Sequence, residues 1–196
     1  MPLPPAAARQ PQHTRKIEFQ GYRRDDGLWD IEGELCDTKS QPFHLAGDGS
    51  WAPGEPIHHM RLRVTIDNDL VVHDLAVAMD SVPHAECPPA QAHMHRMIGC
   101  RMGRGWRQAI ERNLGGIQGC AHLRELLFNM ATAAFQTLPG GLSTAGGDQP
   151  PLHLGQCTAW DFNGTVVQRH HPMFFQWKPP TDKAPSQPPE SASKHE

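Results

Sequence analysis

Apolar and polar residues alternate along the first half of the chain, which is typical of strands with one buried face. The pattern predicts a strand over 17–22 and a second over 28–37, joined by a turn at Asp25-Asp26-Gly27. The residues of the second strand that share its apolar face are Trp29, Ile31, Gly33 and Leu35. The first quarter of the chain is therefore predicted to form a hairpin with one face buried.

A second hairpin follows a loop over 39–55 and shows the clearest alternation in the sequence. The turn at Asp67-Asn68-Asp69 separates its two strands, and the returning strand is predicted to end near Val82. The apolar face of its first strand carries His58, Met60, Leu62, Val64 and Ile66. His58 is therefore predicted to point towards the core, unlike its neighbour His59.

Helical spacing of apolar residues replaces alternation in the second half. Three stripes predict helices beginning after Pro88-Pro89, near Trp106 and near Leu123. A last hairpin is predicted from 152–161 and 165–170 around Asn163-Gly164, which is a strong short hairpin signal. The prediction is an α+β fold: an antiparallel sheet of hairpins packed by about three helices, with extra strands at both ends.

Composition sets the expected boundaries of the folded part. The 196-residue chain begins and ends with segments rich in Pro, Ala, Ser or Lys, which contain too few apolar residues to bury a core. We expect disordered tails over 1–14 and 179–196 and a single α+β domain over 15–178.

Charge and apolar content narrow the classes of function. The formal net charge is −3 and no basic run is present, which argues against nucleic acid as a partner. No stretch of about 20 apolar residues predicts a membrane span, and the N-terminus lacks the apolar region of a secretory signal. We therefore expect a cytoplasmic protein, with a small-molecule ligand and a homo-oligomer both left open.

The five cysteines are odd in number and widely spaced, which is not the pattern of a disulfide scaffold. Cys87 and Cys120 each precede a predicted helix, where free backbone N–H groups stabilise a thiolate. His122 follows Cys120 closely and could serve as a ligand or a base. We predict one zinc or iron ion on His58, Cys87, Cys120 and His122, against the alternative that these are ordinary core and surface residues.

Asp37 is a further candidate because the strand alternation places it on the face of Trp29, Ile31 and Leu35. An inward carboxylate needs a partner or a metal. The alternative, which the sequence alone favours, is that the strand ends first and leaves Asp37 in solvent.

One segment resembles the NifU/IscU family of iron–sulfur cluster scaffolds. Gly54-Glu55-Pro56 leads into His58-His59-Met60-Arg61-Leu62-Arg63-Val64, and Cys87 and Cys120 follow in order, each before a helix. The resemblance covers about 54–138 and implies a related core around a metal pocket. A cysteine expected before the strand is missing, and His58 occupies the position of an acidic ligand. The resemblance therefore implies a retained pocket with altered ligands, not a scaffold that delivers clusters.

The whole chain also resembles an uncharacterised bacterial family of unknown function. The segments that carry this resemblance are 26–33, Asp-Gly-Leu-Trp-Asp-Ile-Glu-Gly, and 119–123, Gly-Cys-Ala-His-Leu. It implies a shared fold and supplies no activity.

Three functions are compatible with these residues. The first is a metal-binding protein with a closed Cys/His site. The second is a metal-dependent lyase or hydrolase acting on a small molecule, with an aromatic substrate left open and with His122 and Asp37 as acid and base. The third is metal-free, with Cys120 as a thiol nucleophile activated by His122.

Overall fold

Four antiparallel strands form the main sheet, in the order His13–Arg23, Trp29–Lys39, Pro56–Ile66 and Val72–Ser81. The computed structural model describes residues 2–139, 149–151 and 153–178, and the chain divides into two compact units, 1–142 and 143–196. The strands of the first unit are β1 (His13–Arg23), β2 (Trp29–Lys39), β3 (Phe43–Leu45), β4 (Gly49–Trp51), β5 (Pro56–Ile66) and β6 (Val72–Ser81). Strands β3 and β4 pair with each other as a small separate hairpin.

Both hairpins predicted in the first half of the chain are confirmed, and local chemistry explains their turns. Gly27 adopts a φ of 87°, and Asp26 Oδ1 accepts a hydrogen bond from the Leu28 amide between β1 and β2. In the β5–β6 turn, Asp67 Oδ1 accepts hydrogen bonds from the amides of Asp69 and Val71. Each turn is therefore closed by an aspartate at the position that the sequence indicates.

Strand β1 is longer than the predicted strand over 17–22 because its whole length pairs with β2, from His13 opposite Lys39 to Arg23 opposite Trp29. Residues 2–12 are exposed and form no helix or strand. The expected tail at 179–196 lies outside the described residues. The short hairpin of β3 and β4 falls in the segment that the sequence indicates as a loop.

Helices cover one face of the sheet. They are α1 (Ala90–His93), continued by a 3₁₀ turn at Met94–Met97, α2 (Trp106–Leu114) and α3 (Ala121–Thr137). The apolar stripes of α2 and α3 face the apolar residues of β2 and β5, and together they form the main core. The fully buried members of that core include Ile31, Leu35, Met60, Ile110, Leu114, Leu123 and Leu126. Burial of these side chains from water is the main source of stability.

Helix α3 lies close against the sheet, and two contacts fix its position. Trp106 Nε1 of α2 donates a hydrogen bond of 2.7 Å to the carbonyl oxygen of Leu127 in α3. At the far end, a Cβ on Gly21 of β1 would lie 1.9 Å from Thr137 Oγ1. Glycine at this point of β1 therefore permits the close approach of α3.

The predicted C-terminal hairpin is wrong. Residues 158–160 form a 3₁₀ turn, and α4 (Thr165–His170) occupies the second predicted strand. The hairpin turn would need a positive φ at Gly164, but its φ is −86°, and it serves as the N-cap of α4. In this second unit Val167 of α4 packs with Leu154 and Phe174 in a small cluster of its own.

The structure confirms the predicted α+β class with an antiparallel sheet, and the described residues form about four helices where the sequence predicts about three. All five cysteines are free thiols. Among the described helices, none combines the length and apolar character needed to cross a membrane.

Candidate metal centre

A cavity of about 570 Å³ opens where β2 ends and β5 and α3 begin. Every residue that the sequence singles out as a ligand or an acid–base group lines it: Asp37, His58, Cys87, Cys120 and His122. The fold therefore brings together residues that are separated by up to 85 positions in the chain.

Asp37 is the centre of this group. It is 3% exposed, so the interpretation that leaves it in solvent is wrong, because β2 continues to Lys39 and keeps the side chain inward. Its direct partner on one side is Arg15 of β1, and on the other side it is His58 of β5. A row of three side chains thus crosses three neighbouring strands.

The Asp37 carboxylate accepts hydrogen bonds on both oxygens. Arg15 donates from Nε to Oδ1 at 2.8 Å and from Nη2 to Oδ2 at 2.7 Å, and His13 Nε2 lies 2.9 Å from Oδ1. Arg15 also donates to the carboxylate of Glu125 in α3. Burial by itself raises the pKa of Asp37, but the hydrogen bonds from Arg15 and His13 outweigh it and bring the pKa to about 2. The carboxylate is therefore ionised and held in one orientation.

Two histidines approach the Oδ2 oxygen of Asp37. His58 Nδ1 lies 3.2 Å from it and His122 Nε2 lies 3.7 Å from it, while the two imidazole rings are 3.9 Å apart between centroids. Burial lowers the pKa of His58, and a positive charge on His122 would lower it further. Burial also lowers the pKa of His122, followed by the nearby charge of Arg15. Both imidazoles are therefore neutral at pH 7, the form that binds metals.

The start of α3 places His122. Cys120 is the N-cap residue of the helix, in an extended conformation, and His122 lies in the first turn. Cys120 Sγ is 3.8 Å from His122 Nδ1, so the thiol contacts the ring nitrogen that faces away from Asp37. Cys87 lines the same cavity from the segment after β6.

Asp37, His58 and His122 each offer a potential ligand atom, and these atoms all lie within 4.8 Å of one another. A tetrahedral site with bonds of about 2.0–2.1 Å separates its ligand atoms by about 3.3 Å, and the 3.2 and 3.7 Å separations bracket that value. Within the part of the chain that the structure describes, Cys87 and Cys120 line the cavity without joining this close group.

His13 and Arg15 are site residues that the sequence reasoning missed. Both lie in the phase of β1 that also carries Ile17 and Phe19 against the core. Extending the predicted first strand by four residues would have placed them on the inner face beside Asp37. The strand phase already places both residues on the inner face, but the polar residues at the start of β1 make this part of the strand hard to recognise from the sequence.

Comparison with known proteins places the chain in one family. The model of the family described as "Protein of unknown function (DUF2889)" matches residues 13–136, a segment that contains the whole cavity lining. No curated protein and no solved structure matches the chain, so these comparisons show no similarity to the NifU/IscU scaffolds. The chain belongs to the DUF2889 family, as the resemblance to an uncharacterised family implies.

Proposed function

We propose that this member of the DUF2889 family binds one zinc or iron ion through Asp37, His58 and His122. The observation that carries the proposal is the convergence of three ligand atoms within 4.8 Å at one cavity. They come from β2, β5 and α3, so no local sequence feature forces them together.

The donor set suits these metals. Two neutral imidazoles and one ionised carboxylate are ligands that zinc uses in catalytic sites and that iron(II) uses in many non-haem sites. Both histidines have lowered pKa values and Asp37 has a pKa of about 2, so little proton release is needed for binding at pH 7.

Arg15 and His13 have a positioning role in this proposal. They occupy Oδ1 of Asp37, and Arg15 also donates to Oδ2, which still points to both histidines. Hydrogen bonds of this kind fix the orientation of a carboxylate ligand. Glu125 forms a second ion pair with the Arg15 guanidinium, and its negative charge limits the repulsion between Arg15 and a bound cation.

The cysteines define the competing ligand set. A closed site of His58, Cys87, Cys120 and His122 would be structural, as in many zinc proteins. We favour the carboxylate set because Cys87 and Cys120 are not in the close group, whereas Asp37 contacts both histidines.

A metal-dependent enzyme, a lyase or a hydrolase, is the second candidate. The observation that favours it is the cavity of about 570 Å³ beside three protein donors, which leaves room for water and a small molecule. A bound ion would supply Lewis-acid chemistry or an activated water there. Asp37 and His122 would then be ligands and not the acid and base that the sequence suggests.

Elemental analysis tests metal binding directly. We expect about one equivalent of zinc or iron in the wild type and its loss in His58→Gln and His122→Gln. The matched control is His59→Gln, because His59 is adjacent in β5 and contacts Glu34 instead of Asp37. A wild type without metal after purification free of chelators, and after addition of zinc, would overturn the proposal.

A coordination position that the protein leaves free distinguishes a catalytic ion from a structural ion in a closed site. In protein reconstituted with Co²⁺, we expect the visible spectrum to change when azide is added, because azide would enter a position that the protein leaves free. A spectrum of four protein ligands that azide does not alter would favour a structural ion.

A further inference from the structure

Lys39 is the one permanently charged residue of the cavity lining that lacks an opposite charge among the described residues. Arg15 is paired with Asp37 and Glu125, and His84 Nδ1 lies 3.2 Å from Asp48. Lys39 has no described carboxylate within salt-bridge distance, although it is half-buried at the end of β2. The cavity wall therefore carries a cation that no described acidic group neutralises.

An aromatic ring holds this cation in place. Lys39 Nζ lies over the ring of Phe43 at 5.6 Å from its centroid, a favourable cation–π geometry. Phe43 of β3 is in turn packed on Trp51, its partner in β4, at 5.7 Å between centroids. The small hairpin thus presents the Phe43 ring at the cavity, and the end of β2 presents the Lys39 ammonium group over that ring.

Part of the cavity wall is apolar. The apolar residues that line the cavity are Phe43, Leu45, Ile57, Met60 and Pro83. The volume of about 570 Å³ lies within the usual range of about 300–1,000 Å³ for small-molecule sites. A ligand that matches this surface has an apolar body and one negative group.

We propose that the cavity binds a small organic monocarboxylate, with its carboxylate on Lys39 and its apolar body against Phe43. The proposal rests on the proposed function in placing this ligand beside the ion held by Asp37, His58 and His122. One ammonium matches a single negative charge, whereas a phosphate of charge about −2 is normally met by several donors. The ligand class is therefore a carboxylate joined to an aromatic or aliphatic body.

Calorimetric titration with benzoate tests the proposal on the full chain loaded with zinc. Benzamide has the same shape without the charge, and we expect it to bind at least about tenfold more weakly than benzoate. Lys39→Met should weaken benzoate binding by at least about tenfold, since it removes one charged hydrogen bond and keeps the length of the side chain. Lys39→Arg retains the cation and should retain binding, which separates loss of charge from damage to the fold.

The matched control is Lys16→Met, which removes an exposed lysine of β1 that does not line the cavity. It should bind benzoate like the wild type. Equal binding of benzamide and benzoate, tighter binding of inorganic phosphate, or an unchanged affinity in Lys39→Met would each overturn the proposal.

The zinc content of every sample is measured alongside the titration. Benzoate binding without zinc would leave the carboxylate site standing and would count against the metal centre alone. Zinc bound at His58 and His122 without benzoate binding would overturn the carboxylate site and leave the metal centre intact.

Discussion

Asp37 of β2 and His58 of β5 are direct cross-strand partners, and Asp37 Oδ2 lies 3.2 Å from His58 Nδ1. Their contact follows from the register of two long strands in the middle of the sheet and not from a flexible loop. Only the third donor, His122, comes from another layer, at the start of α3. A site built on strands and a helix terminus holds its geometry before any ligand arrives.

Asp37→Asn should change how stability depends on pH. The pKa of Asp37 falls from 3.8 to about 2 on folding, so its ionised form stabilises the folded state above about pH 4. This contribution, roughly 2 kcal/mol, is lost as the pH falls from about 4 to about 2. Urea unfolding at several pH values should therefore show the largest loss of stability in Asp37→Asn at neutral pH, with the difference from wild type shrinking below about pH 4.

The control for this experiment is Asp25→Asn, which removes an exposed carboxylate of the β1–β2 turn. It should keep the acid dependence of the wild type. A parallel shift of the Asp37→Asn curve at every pH would contradict the assignment.

His58 and His122 should titrate below the ordinary histidine pKa of 6.5 in protein stripped of metal, because both are partly buried. A histidine with a lowered pKa in the folded state binds protons less readily than in the unfolded chain. Stability is therefore lost as the pH falls below about 6.5. NMR titration of the imidazole resonances checks this, with His58→Gln and His122→Gln to assign them, and a pKa at or above 6.5 for both would refute it.

Cys120→Ala should keep about one equivalent of zinc and bind it more weakly. The thiol contacts His122 Nδ1 at 3.8 Å, and loss of a group that orients a ligand typically weakens metal affinity by about ten- to a hundredfold. Cys87→Ala should leave the affinity unchanged. Competition with a chromophoric chelator measures both, and complete loss of zinc in either variant would favour the cysteine ligand set.

Gly21→Ala should destabilise the fold by about 1–3 kcal/mol, because its Cβ would overlap Thr137 Oγ1 of α3. Thr137→Ala removes the two nearest of the three atoms that the new methyl group would meet, Oγ1 and Cγ2, and leaves the Cβ at 2.7 Å. The double variant should therefore recover part of the loss, and thermal unfolding of the four proteins gives the coupling. Additive effects would mean that β1 and α3 do not pack as described.

The two large hairpins and the helices α2 and α3 could be predicted because their signals are local. Alternation, aspartate-rich turns and apolar stripes all lie within a few residues of one another. The small β3–β4 hairpin was missed because three-residue strands are too short to show alternation. The Asn163-Gly164 dipeptide is an equally local signal, but it wrongly predicted a hairpin turn, because Gly164 is the N-cap of α4.

The site could be predicted only in part, because its geometry depends on pairing between strands that are distant in the chain. The alternation along each strand predicted that His58, and as one alternative Asp37, would point inward. Their pairing, however, depends on the register between β2 and β5, which are separated in the chain by another hairpin. The pairing of Arg15 with Asp37 depends on register in the same way. The sequence alone indicated the candidate ligands but not His13 and Arg15, and the sheet register determines which of these residues meet.

X-ray absorption spectroscopy of protein loaded with one equivalent of zinc is the most direct test of the metal centre. Ligation by Asp37, His58 and His122 predicts a first shell of nitrogen and oxygen at about 2.0–2.1 Å with no sulfur. A sulfur shell at about 2.3 Å would contradict that ligand set and assign the ion to Cys87 or Cys120. Failure of the protein to retain zinc through the measurement would contradict the metal centre itself.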